Sequence, residues 1–526
     1  MCFCSVYMGT TTICFERIDT MSASKKKLQR KAEVDVEKVS EAEAKQAAYK
    51  KKSRLYSIIA IVVVVLVAAL LVWNSGVFQK GATAATIGGE KLSVAELSYY
   101  YYNNYYYQMY AQYGISIDPD AVLDEEKGTT YRDYFLELAL ADAHEVEAMY
   151  QEALANGYSD ADVAEELNAQ IKNIKAGAAS AGYSYKSYLK AAMGRYMTPA
   201  AFKKMATHSL VINKYYSDIA TEKSDSITSA DLDAYYAENA DEVDTYTYSY
   251  LYFKADTISA TSEEGKKLSE DELKAKNEAA MADAKAKAEA ALADYNSGTA
   301  IAALIEKTEP YTSGDHSKTT GKSSLSSAYS EELLKLGKDE AAIAEYENNG
   351  YYVVIFHEKA RNEELPASIY NIFVEAETTL DKDNKPVLPD LKAWADAEKQ
   401  ANDLLAEWES GNKTAESFSA LATKQGMANG GLSTGITSDA SDPEQDGRIN
   451  WLFNEGERAK GDTTVARYEN PSYGYGYYVS YFLEWEDAVW MQNVRNTLTN
   501  EYLTEWKDSL KEANPAVLTN AARNID

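Results

Sequence analysis

Residues 292–298 read Leu-Ala-Asp-Tyr-Asn-Ser-Gly, and residues 405–411 read Leu-Ala-Glu-Trp-Glu-Ser-Gly. Each stretch is followed downstream by Gly-Tyr-Tyr-Val, at 350–353 and again at 476–479. A repeat of about a hundred residues is too long for a solenoid unit, and its order of elements is too regular for low complexity. It predicts two copies of one globular fold.

Both copies have the same predicted order of strand, helix, variable region and strand. The first has Tyr248 to Lys254, a Lys/Glu/Ala-rich helix over Glu272 to Tyr295, and Tyr351 to His357. The second has Ile369 to Glu375, helices over Leu391 to Trp408 and Ala415 to Gln425, and Tyr477 to Trp485. Such a pattern defines an α+β fold. The polar stretches Thr312 to Ser327 and Asn429 to Gly447 are predicted as loops.

Ahead of the repeats, Thr86-Ile-Gly-Gly-Glu-Lys-Leu-Ser-Val predicts a short strand, a Gly88-Gly89 turn and a helix start at which Ser93 and Glu96 have capping-box spacing. A long helical region follows, through Tyr99 to Tyr113, Tyr131 to Asn156 and shorter amphipathic helices to about Tyr216. Thr228 is predicted to cap one more helix before the first repeat. After Glu486 a closing helix carries Trp490, Val494, Leu498, Tyr502, Trp506 and Leu510 on one face.

No charge occurs between Arg54 and Lys80, and Ser57 to Val72 is almost wholly apolar, which is long enough to span a bilayer. Lys50, Lys51, Lys52 and Arg54 precede it, so the positive-inside tendency puts the leader in the cytoplasm and the rest outside. The expected localisation is a single-pass cell-membrane protein with a large external part. A cleavable signal peptide ending near Ala82-Thr83-Ala84 is the rival reading. Residues 1–20, ahead of Met21, are expected to contribute nothing to the working protein. The expected divisions are a leader over 1–54, a signal-anchor over 55–78, a helical domain over 85–244, lobes over 245–360 and 367–487, and a closing helix and tail over 488–526.

The chain has 53 Lys and Arg against 82 Asp and Glu, a net charge of −29, which argues against nucleic acid as a partner. Its three cysteines, Cys2, Cys4 and Cys14, all lie at the N-terminus, so the expected external part has neither a disulfide framework nor a cysteine zinc site. Gly321-Lys322-Ser323 lacks the upstream glycine spacing and leading strand of a phosphate loop, and no nucleotide is expected. His144-Glu145 and His357-Glu358 lack the second histidine of a zinc-protease helix. No cofactor is expected.

Phe418-Ser-Ala-Leu421-Ala422, then Gly430-Gly431-Leu432, a Gly461-Asp462 turn and Gly476-Tyr477-Tyr478-Val479 together resemble the parvulin family of peptidyl-prolyl isomerases. The segment from Gly88-Gly89 through Tyr235-Tyr236 resembles the helical chaperone region of PrsA- and SurA-like extracytoplasmic foldases. The resemblance implies a membrane-anchored folding factor whose partners are unfolded exported polypeptides. It also implies two catalytic histidines per lobe, and those positions fall on Asn371 and Tyr478 in the second repeat and on Tyr250 and Tyr352 in the first. A third polar position falls near Ala428. Isomerase activity is therefore expected to be weak or lost.

The chain has 42 tyrosines, many of them between Tyr99 and Tyr113. Tyrosine offers a rigid apolar face with a polar tip, which suits contact with unfolded chains. The expected client-binding residues are Tyr101, Tyr105 and Tyr107, with Trp451 and Phe453 in the second repeat. The alternative for the tyrosines is that their rings line the contacts between this helix, the closing helix and a lobe. The alternative function is a non-enzymatic envelope-assembly or structural protein on the same fold.

Overall fold

The computed structural model describes residues 57–68, 76–105, 114, 117–307, 312–382 and 385–525. These residues form a mixed α+β, multidomain chain with a helical N-terminal region and several sheets. They divide into two units: residues up to Tyr215 with Lys507–Asp526, and Tyr216–Trp506.

In the first unit β1 (Thr83–Ile87) turns through Gly88 and Gly89 into β2 (Glu90–Ser93). Both glycines have positive φ, +56° and +92°, as a tight hairpin turn requires. Ser93 then caps the helix Val94–Tyr105. Its N–H donates to Glu96 Oε2 at 2.7 Å, and the Glu96 N–H donates back to Ser93 Oγ at 3.3 Å. The strand Ala516–Leu518 adds to β1 and completes a three-stranded sheet from the far end of the chain. Sequence reasoning assigned that tail no strand, because three residues are too few to show a period.

A short hairpin, β3 (Val122–Asp124) and β4 (Thr129–Thr130), leads to the helices Tyr131–Ala155, Ala164–Ser180 and Tyr185–Met193. Pro199–Ser226 is helical as well. His208 and Glu147 are both buried between these helices, with Nδ1 to Oε1 at 2.8 Å, and Tyr150 stacks on the imidazole at 3.6 Å.

Among the described residues no helix is long and apolar enough to cross a membrane. Residues 57–68 are helical with exposed side chains, whereas 55–56 and 69–75 of the expected 55–78 span lie outside the described residues. Gly76 adopts a left-handed conformation at φ +67°, and Val77–Lys80 is a separate one-turn helix after it.

The second unit contains two four-stranded antiparallel sheets. The first is ordered β6-β5-β8-β7, from β5 (Thr245–Lys254), β6 (Thr312–Gly321), β7 (Ala341–Tyr346) and β8 (Gly350–Ala360). The second is ordered β10-β9-β12-β11, from β9 (Ala367–Glu375), β10 (Leu432–Ile436), β11 (Thr463–Asn470) and β12 (Gly474–Trp485). Their central pairs share one register: Gly350 lies opposite Lys254, and Gly476 lies opposite Glu375.

A Cβ on Gly350 would lie 2.1 Å from the Phe253 carbonyl oxygen, and one on Gly476 would lie 2.2 Å from that of Val374. The repeated glycine is thus the point where neighbouring backbones approach too closely for any side chain. The expected loops 312–327 and 429–447 contain β6 and β10. Both are edge strands, and β6 is almost wholly polar. An edge strand needs backbone pairing on one side rather than a buried face, so its sequence shows no apolar alternation.

One face of each sheet is covered by helices. Glu270–Asn296 packs on Leu251, Phe253, Tyr351 and Val353. Leu391–Glu409 and Ala415–Lys424 pack on Ile372, Val374, Tyr477 and Val479. The closing helix, Val489–Ala513, buries Trp490 and Val494 against Ile227 and Leu232. Leu503 is buried farther along it, in place of the expected Tyr502, which is 40% exposed.

Candidate functional site

Alternation along a strand fixes what the faces opposite the long helices carry. On the second sheet the helix Gly447–Phe453 covers part of that face, with Trp451 and Leu452 on Ile369 and Phe482. On β9, Tyr370, Ile372 and Val374 point to the long helices, so Ile369, Asn371 and Phe373 point away from them. On β12 the outward set is Tyr478, Ser480 and Phe482. The register puts Asn371 opposite Ser480 and Phe373 opposite Tyr478.

Ser480 Oγ donates to Asn371 Oδ1 at 2.7 Å, and Asn371 Nδ2 donates to Ser433 Oγ on β10 at 3.1 Å. Asn371 and Ser480 are buried, so each needs the other's hydrogen bond. Gly431 closes over this group at φ +78°, where a Cβ would lie 2.2 Å from the Asn371 carbonyl oxygen. Ala428, at the expected third polar position, is exposed and adds no polar group. Sequence comparison matched Asn371 with Tyr478, but its cross-strand partner is Ser480. The signal that could have found it is the period of two: Ser480 follows Tyr478 on the same face.

Beside this trio the half-buried Tyr478 packs with Phe373 at 4.7 Å and with Tyr468 at 5.3 Å. The Arg448 guanidinium lies over the Tyr478 ring at 3.5 Å. Burial pushes the Tyr478 phenol up, with Arg448 working in the opposite direction. Sequence reasoning missed Arg448 and its partner Asp446, because only the folded loop brings them to the sheet.

The opposite face of the first sheet is aromatic, and Leu325, Tyr329 and Leu333 pack on it against the buried Tyr248 and Val354. Tyr250 lies opposite Val354 and Tyr252 opposite Tyr352, so no polar pair stands where the second sheet has one. Tyr252 stacks on Tyr352 at 4.6 Å, Tyr329 lies 5.0 Å from Tyr352, and Tyr250 stacks on Tyr329 at 6.0 Å. Burial, together with the neighbouring phenols, pushes the Tyr352 hydroxyl up to about 12.

The other expected site residues are dispersed. Tyr101 is 1% exposed and packs on Phe135 inside the core of the first unit, so its ring is not offered to a client. Tyr105 is half-buried, with its hydroxyl donating to the Ile117 carbonyl at 3.2 Å. Tyr107 lies outside the described residues. Trp451 is buried against Ile369 and Phe482, and Phe453 packs on Trp485 at 5.6 Å. Tyr101 therefore serves packing.

No histidine whose side chain is described stands on either of these faces. His357 Nε2 lies 2.6 Å from Ser249 Oγ and its Nδ1 lies 3.3 Å from Asp339 Oδ1, in the order of a hydrolase triad. Ser249 is wholly buried, so its hydroxyl is not presented to a substrate. Among the described residues no three or more His, Cys, Asp or Glu side chains gather as metal ligands. An apolar setting can assist amide rotation, whose barrier is about 18–20 kcal/mol, without covalent chemistry.

Residues 48–216 match the family described as SurA-like N-terminal domain. The resemblance to SurA- and PrsA-like foldases stands on it. No curated protein matches the chain. Among solved structures, the peptidylprolyl isomerase PrsA from Bacillus anthracis shares 11% identity over 42% of this chain and 79% of that one, with a TM-score of 0.20. The foldase protein PrsA from Streptococcus pneumoniae shares 13% identity over 58% of this chain and 92% of that one, with a TM-score of 0.19. Likenesses of this size carry no weight for fold or activity.

Proposed function

We propose that the chain is an extracytoplasmic foldase that holds unfolded exported polypeptides on the half-buried aromatic residues of its two sheets. The observation that carries this reading is the match to the SurA-like N-terminal domain over 48–216. The aromatic residues opposite the long helices support it, since half-buried Phe373, Tyr468 and Tyr478, like Tyr250, Tyr252 and Tyr352, offer adaptable apolar surface. The tyrosine face of the first lobe is a binding surface. The second lobe binds prolyl segments on Phe373, Tyr468 and Tyr478 and isomerises them weakly, with the buried Asn371–Ser480 pair holding its central strands together where the family has histidines.

The chain is anchored by its apolar segment, with the leader inside and the rest outside the cell membrane. The exposed apolar helix at 57–68 and the basic residues before it favour this topology. Protease added to intact spheroplasts should remove the large domain and spare the leader.

Aggregation of several unrelated unfolded proteins, followed with and without the full chain, tests the function. Suppression across clients is expected. Suppression of none, or of one alone, would instead favour a dedicated envelope-assembly adaptor.

A further inference from the structure

Arg448 is fixed from two sides. Its Nε and Nη2 donate to the two oxygens of Asp446 at 3.0 and 2.6 Å, and its plane rests on Tyr478. Asp446 is 1% exposed, and its backbone bridges to Tyr468 on β11. A guanidinium held this way has little side-chain freedom left to lose on binding. The Arg448 side chain keeps 17% exposure beside Tyr478, and Nη1 has no hydrogen-bond partner among the described residues.

The geometry points to Arg448 as the group that receives a backbone carbonyl of the bound client, through the N–H groups of Nη1. This rests on the reading that the second lobe binds prolyl segments. Asp446 already balances the guanidinium charge, so the site suits a neutral carbonyl oxygen rather than a carboxylate. Covering a balanced pair also costs less desolvation than covering a lone cation. A donor on the oxygen of the rotating X–Pro amide would strengthen its double-bond character and slow rotation. The carbonyl received therefore belongs to a neighbouring peptide unit, and Arg448 acts in binding rather than in the rotation step.

Calorimetric titration of the full chain with the end-blocked peptides Ala-Ala-Pro-Phe, Ala-Glu-Pro-Phe and Ala-Lys-Pro-Phe tests this. The parent should bind all three alike, and Arg448→Met should weaken each by about tenfold, the loss expected for a charge-assisted hydrogen bond. Because Arg448→Met leaves a buried carboxylate unpaired, the paired variant Asp446→Asn with Arg448→Met provides the same comparison without that charge. Asp446→Asn alone should shift preference towards the Glu peptide. Parent-like affinity in both Arg448 variants would overturn the inference, as would a parent that already prefers the Glu peptide by tenfold or more. A parent that binds none of the three peptides would instead overturn the functional reading of this lobe.

Discussion

Ser480 donates its hydroxyl hydrogen to Asn371 across the two central strands of the second sheet, where the first sheet has Val354 facing Tyr250. Ser480→Ala leaves Asn371 Oδ1 buried without its donor, which typically costs about 1–3 kcal/mol. Urea denaturation should show that loss. Val354→Ser, by contrast, should also destabilise the first lobe, because it buries a hydroxyl among tyrosine rings with no partner designed for it.

The paired glycines give a second test. Gly350→Ala and Gly476→Ala each force a Cβ against a carbonyl oxygen of the neighbouring strand. Each should destabilise its own lobe by more than about 2 kcal/mol, the range of backbone strain and overpacking. Hydrogen exchange should show faster amides in the sheet that carries the change and parent rates in the other sheet.

Tyr101 separates packing from client contact. Its hydroxyl is buried with no hydrogen-bond partner among the described residues, so Tyr101→Phe should leave stability unchanged or raised. Tyr101→Ala removes a buried ring beside Phe135 and should cost about 3–5 kcal/mol. Thermal denaturation of the two variants checks both values.

Burial raises the Glu96 carboxyl, but the Ser93 N–H and hydroxyl and the Lys204 ammonium outweigh it and hold Glu96 below the usual carboxylate range. A depressed carboxylate stabilises the fold above its unfolded pKa, and that contribution is lost as pH falls through its folded pKa. Glu96→Gln should therefore cost about 1 kcal/mol at pH 7, the usual worth of a cap interaction, and progressively less below about pH 4. Denaturation midpoints of parent and variant across pH 3 to 7 should converge at the acid end.

Local chemistry was legible in the sequence, while long-range placement was not. The Gly88-Gly89 turn and the Ser93/Glu96 cap follow from residues within a few positions of each other, and both are present. The polar edge strand β6 was read as a loop because its strand character comes from pairing with β5. Tyr101 was read as a client contact because the helix looks aromatic all round, and only Phe135 and its neighbours, some thirty residues on, bury one side of it. Arg448 and Ser480 carried no motif at all. Their importance comes from the register of β9 against β12 and from Asp446 folding back onto β11.

The account stands most directly on where a client sits. A photo-crosslinking residue at position 373, on the face of the second sheet opposite the long helices, and another at exposed position 399, on the long-helix side, should be compared in the full chain with a reduced, alkylated protein as client. The account predicts crosslinks from position 373 that an excess of prolyl peptide removes, and none from position 399. Client held in solution with no crosslink at 373, or with equal crosslinks at both positions, would contradict it.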